Sequence, residues 1–176
     1  MSTAPYAAIP EPPEEYNATT VLSRLMDGLG FRYHWATDGL TEEELDYRPE
    51  PACRSIKEIL HHIHNIVDMV EHSLKGERYQ LPEPSLPDGL DVRAATLASI
   101  ERVSTNLRTA EPSRIAEWHT LFRMGDQDLQ FPFWNTINGT MSDAIYHVGQ
   151  VAAYRRPAGN PIDPNANPLL GVRMTQ

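Results

Sequence analysis

Apolar residues recur at three- and four-residue intervals in four stretches of the chain, and each stretch predicts an amphipathic helix. The first runs from about Ala18 to Ala36 through Val21, Leu22, Leu25, Met26, Leu29 and Tyr33, with Asn17 or Thr19 placed to cap its start. Thr41-Glu-Glu-Glu44 then has the form of a capping box for a short turn. The second long stretch has the clearest stripe, Ile56, Ile59, Leu60, Ile63, Val67, Val70 and Leu74. It opens on another capping box, Ser55-Ile-Lys-Glu58, and Gly76 is placed to stop it. The third runs from about Asp91 to Thr109 through Ala95, Leu97, Ile100, Val103 and Leu107, with Pro112 just beyond. The fourth runs from about Thr140 to Arg156, where Pro157 and two Asn-Pro pairs stop it.

The segments between these stripes differ in kind. Residues 1–16 carry four prolines and predict an extended arm. Residues 77–90 hold three prolines and predict a loop. Residues 112–139 are the least regular and contain Trp118, Leu121, Phe122, Leu129, Phe131, Phe133 and Trp134. They predict a long packed connection with a short hairpin or a 3₁₀ turn, and such insertions are often functional. Residues 159–176 predict an irregular tail. There are no repeats and no βαβ rhythm. Burying four apolar stripes calls for an all-α four-helix bundle over residues 17–158, with the long irregular connection before its last helix.

Composition narrows the function. A chain of 176 residues with 40% hydrophobic content is long and apolar enough for one sizeable core. The formal charge of −9 argues against binding nucleic acid or an anionic membrane surface. No apolar run reaches membrane-spanning length, and the first residues show no secretory leader. A single cysteine, Cys53, excludes a disulfide framework within the chain and fits a reducing cytoplasm.

No serine elbow, phosphate loop or H-E-x-x-H motif is present, so candidate chemistry rests on the seven histidines and their neighbours. Asp143 and His147 stand four apart, which on a helix puts both on one face, where they can grip a divalent ion. Each has a plainer reading. With Thr140 as N-cap, Asp143 falls where a carboxylate reaches free backbone N–H groups. His147 shares its side of the helix with Ala144, Val151 and Tyr154 and fits a core histidine bonded to a carbonyl.

Three more histidines fall in Leu60-His-His-Ile-His64. Helical periodicity puts His61 opposite the core, with His62 and His64 at its two borders, and does not choose between those two. His34 and His119 each neighbour a tryptophan, which suggests packing. Gly149 suggests close approach of another helix. Arg155 and Arg156 suggest snorkelling, acidic partners or an anionic substrate group.

Two segments carry a family resemblance. Ser55-Ile-Lys-Glu-Ile-Leu-His-His-Ile63 resembles the second-helix motif of the DinB/YfiT-like metalloenzyme superfamily, in which a histidine follows the serine by seven residues, here His62. Asp143-Ala-Ile-Tyr-His-Val-Gly-Gln150 resembles that family's last-helix motif, a metal ligand four residues before a histidine. Many members have histidine where this chain has Asp143, and a frequent arginine after the last histidine is Val148 here.

The resemblance covers roughly residues 17–158. It implies an up-down-down-up bundle, a homodimer, and a divalent ion (zinc, nickel, iron or manganese) held by His62, Asp143 and His147. Three protein ligands leave a position for water or a substrate. The chemistry implied is hydrolysis, or transfer that uses a low-molecular-weight thiol as the small-molecule partner. Tyr146, Tyr154, Arg155 and Trp134 are candidates to line the site. The reading opposed to an enzyme is a non-catalytic metal-binding or ligand-binding stress-response module, its metal structural or absent, with the aromatic connection as the surface for a ligand or a partner chain.

Overall fold

Each of the first four helices begins where a side chain takes up the free N–H groups of its first turn. Asn17 accepts from the Thr19 and Thr20 amides at the start of α1 (Ala18–Thr37). Thr41 and Glu44 cap α2 (Glu42–Leu45) reciprocally, and Ser55 and Glu58 do the same for α3 (Ile56–Lys75). Asp91 accepts from the Ala94 amide at the start of α4 (Val92–Thr109). Each such cap is worth about 1 kcal/mol. Gly76 ends α3 at φ 70°, a left-handed conformation that glycine adopts without a Cβ penalty. These assignments come from a computed structural model, which describes residues 4–175.

Polar contacts give the helix directions. The α1 start meets the α4 end through Thr19 and the Ala110 carbonyl, and the α1 end meets the α4 start through Thr37 and Arg93. The two helices are therefore antiparallel. His64 bonds Thr96, and Glu71 bonds Arg102 farther along both helices, so α3 and α4 are parallel. The end of α5 (Ser142–Arg155) reaches the end of α1 through Arg155 and the Asp38 carbonyl, which makes those two parallel. The long helices thus run up-down-down-up. α1 and α3 stand on one diagonal, and each packs against both α4 and α5. The apolar stripes meet at the centre, where Ile59, Ile63, Val67, Leu97, Ile100, Val103, Leu107 and Val151 are sealed from solvent. Full burial of each large aliphatic is worth about 1.5–3 kcal/mol.

The connection before α5 is more ordered than its composition predicts. A 3₁₀ turn (Pro112–Ala116) leads into a hairpin of β2 (His119–Met124) and β3 (Gln127–Pro132), turned at Gly125 with φ 57°. A further strand, β1 (Tyr79–Leu81), pairs parallel to β2. It lies inside the stretch expected to be a loop. Three residues are too few to display a strand period, and the prolines all come after them. Thr120 on β2, Thr136 and Ser73 on α3 form a buried hydroxyl chain that ties the hairpin to the bundle.

The start of the last helix departs from the sequence expectation. A π-helical turn (Thr136–Met141) runs without a break into α5. Thr140 is not an N-cap, because its hydroxyl donates to the Thr136 carbonyl at 3.0 Å. The residue before α5, Met141, has helical φ and ψ (−65°, −44°) and no capping side chain. Asp143 is therefore inside a continuous helix, and its capping role falls away. Gly149 also differs from expectation, since a Cβ there would meet nothing within 4 Å.

The N-terminal arm is held down rather than loose. Tyr6, at φ 65°, buries its ring directly over Gly30 of α1, where a Cβ would stand 2.6 Å from the ring. Its hydroxyl donates to Asp27, and His34 Nδ1 donates to the Pro5 carbonyl. Farther along, the Ile9 amide donates to the carbonyl of Gly171, beside the short tail ladder of β4 (Ala166–Asn167) and β5 (Val172–Arg173).

Candidate metal centre

His62 sits in the second turn of α3, and Asp143 and His147 face it from the first two turns of α5. The continuous entry through the π turn sets this phase for α5, and π turns are frequent at functional sites. The two imidazoles meet edge to face, ring centroids 4.7 Å apart. The Asp143 carboxylate reaches both, with Oδ2 3.6 Å from His62 Nε2 and Oδ1 3.5 Å from His147 Nε2. One donor atom from each of the three residues lies within 4.8 Å of the others. The His62 and His147 side chains are 18% and 10% exposed and Asp143 is 45% exposed, so the cluster is walled on the bundle side and open on the other.

Hydrogen bonds decide which nitrogen of each ring faces the centre. Glu83, in the loop after β1, accepts from His62 Nδ1 through Oε2 at 3.4 Å, and Asn65 steadies that same oxygen from the next turn of α3 at 3.1 Å. Gln150 Oε1 accepts from His147 Nδ1 at 2.7 Å. Carboxylate and amide oxygens only accept, so both Nδ1 atoms carry a hydrogen and both Nε2 atoms are the ones turned to Asp143. The two Nε2 atoms and the Asp143 carboxylate therefore converge on one point, the arrangement of donor atoms that a divalent cation takes. Outer partners of this kind are what orient metal-binding histidines. Two imidazoles and a carboxylate suit zinc, nickel, iron or manganese.

The remaining histidines are spent elsewhere. His64, the alternative left open by periodicity, turns to α4 and pairs with Thr96 at 3.1 Å, and burial lowers its basicity. His72 pairs with Asp68 on its own helix. His34 fastens the arm, as a packed residue, and His119 bonds the Glu117 carbonyl.

Of the residues expected to line the site, only Tyr146 does. Trp134 borders a separate apolar cavity beside Trp118 and Phe133, and Tyr154 packs on Tyr47. Arg155 is turned into the protein rather than snorkelling to the surface. It is 2% exposed and donates to the carbonyls of Ala36, Asp38 and Asn160. Sequence reading missed the roles of Glu83 and Asn65. Gln150 had a usable signal, one helical turn beyond His147 on the same face.

The centre opens into a cleft of about 480 Å³. Ile66 and Met69 give it an apolar wall on α3, and Asn138, Thr140 and Tyr146 border it across the way. Among the described residues no helix is long and apolar enough to cross a membrane.

A four-helix bundle with a candidate three-residue metal centre between its second and last long helices defines the class. The chain belongs to the DinB superfamily, whose family model matches residues 31–151. Among solved structures it is similar to YfiT from Bacillus subtilis, described as a probable metal-dependent hydrolase with an unusual four-helix bundle topology. That likeness has a TM-score of 0.56 at 14% identity and covers 88% of this chain and 98% of the other, and at this identity it shows the fold alone. No curated protein matches the chain.

Proposed function

We propose that this protein is a metal-dependent hydrolase, with His62, Asp143 and His147 holding one divalent ion. The observation that carries the reading is the convergence of His62 Nε2, His147 Nε2 and the Asp143 carboxylate beside an open cleft. His62, Asp143 and His147 would hold the ion, which would supply Lewis acidity for activating a water near neutral pH. Glu83 and Gln150 keep the two imidazoles in the tautomer that coordinates, so no reorientation is needed when the ion arrives. As an anionic ligand, the Asp143 carboxylate would offset part of such an ion's charge where a third imidazole would not. Ile66 and Met69 hold the apolar part of a substrate against the α3 side of the cleft. Asn138 and Tyr146, on its opposite border, offer polar contacts that orient the scissile group.

The test is turnover of uncharged activated esters and amides by protein loaded with zinc, nickel, iron(II) or manganese. The expected result is activity that chelation removes, that the same metal restores, and that His147→Ala lacks. Metal-loaded protein that turns over none of these substrates contradicts the hydrolase reading while leaving the metal centre standing.

A further inference from the structure

The charge around the cleft has a consequence for what enters it. Two carboxylates border the opening, Glu83 and Asp143, and none of its lining residues is lysine or arginine. The nearby cations on the sheet, Arg78 and Arg123, are both paired with Asp128. Beside a divalent ion, the carboxylates of Asp143 and Glu83 would offset its two positive charges. The whole chain carries −9 and adds a background field that repels anions.

Resting on the metal-centre reading, we propose that the site selects substrates with no negative charge. These are neutral or cationic molecules whose apolar part lies on Ile66 and Met69. A carboxylate or phosphate on the substrate would enter a cleft with no cationic side chain to meet it and Glu83 at its border. A site of three histidines would keep the full charge of the ion and draw anions in. Asp143 together with Glu83 removes that attraction. The same selection applies if the nucleophile is a small thiol: an uncharged or amine-bearing thiol fits, and an acidic one does not.

The experiment uses cobalt(II)-loaded full-length protein and three hydroxamates that share the metal-binding group and differ only at the far end. Butanohydroxamic acid ends in methyl, succinic monohydroxamic acid in carboxylate, and 3-aminopropanohydroxamic acid in ammonium. Affinity is read from the cobalt visible band, so the result does not depend on turnover. The carboxylate-ended probe is expected to bind about 10-fold or more weakly than the other two. Asn138→Lys, a change at an exposed residue on the cleft border, is expected to narrow that gap several-fold. Equal binding of all three probes, or tightest binding of the carboxylate, overturns the proposal while the metal centre stands. Failure of the cobalt band to form overturns the metal-centre reading and the proposal with it.

Discussion

Gln150 accepts a hydrogen bond from His147 Nδ1 at 2.7 Å, one turn farther along the same helix. The bond fixes His147 so that its other nitrogen faces Asp143. Replacing Gln150 with leucine removes the acceptor and frees the ring. Affinity for zinc is expected to fall about 10–100-fold, with helix content unchanged. Gln150→Glu keeps an acceptor and is expected to stay close to the wild type. Competition against a chromophoric chelator measures both, and unchanged affinity in Gln150→Leu would contradict the orienting role.

His34 and His72 are expected to depend on pH in opposite directions. The Asp68 carboxylate beside His72 raises its pKa above the ordinary 6.5, so the charged ring is favoured in the folded state. Its contribution to stability is present below 6.5 and is lost as pH rises through the folded value. Burial lowers the pKa of His34, so its contribution is present above 6.5 and is lost as pH falls toward the folded value. Urea unfolding at about pH 5.5 and about pH 8 should therefore show His72→Gln costing more at the acid end and His34→Gln costing more at the alkaline end. The reverse ordering would contradict the assigned partners.

Gly30 leaves the space that the Tyr6 ring fills. Alanine there would place a Cβ 2.6 Å from that ring, so Gly30→Ala is expected to displace the arm. The cost is about 1–3 kcal/mol. Hydrogen exchange should rise at the Ile9 amide, whose partner is the Gly171 carbonyl, and remain low in α3. An arm still protected in this variant would show that the contact is not what holds it.

Arg155 stands where the end of α5, the end of α1 and the tail converge. Its guanidinium donates to the carbonyls of Trp35, Ala36, Asp38 and Asn160, most closely to the last three. Arg155→Met keeps the stem and leaves those acceptors without their donor, at a cost of about 3 kcal/mol. Arg155→Lys cannot reach three acceptors with one ammonium and should recover only part of the loss. Chemical denaturation of the two variants gives the comparison.

The helices were legible because their signals are local. Ser55, Glu58 and Gly76 mark the ends of α3 in the sequence as they do in the fold, and its apolar stripe lies at the helical period. What sequence reading could not supply depends on tertiary position. Periodicity left His62 and His64 equivalent, because both border the same stripe. Only the packing of α5 on one side and α4 on the other separates them. Thr140 had the residue type of a cap but lies in a continuous helical run, so the capping reading of Asp143 is removed by the π turn upstream. Glu83 reaches His62 from a loop 21 residues away, a relation no short spacing encodes.

The central claim is that His62, Asp143 and His147 hold one metal ion. The most direct measurement is elemental analysis of untagged wild-type protein beside Asp143→Ala and His147→Ala, after reconstitution with zinc, nickel, iron or manganese and removal of loose ions. The account predicts about one ion per chain in the wild type and a large loss in both variants. A wild type that retains no metal, or variants that retain as much as the wild type, would contradict it.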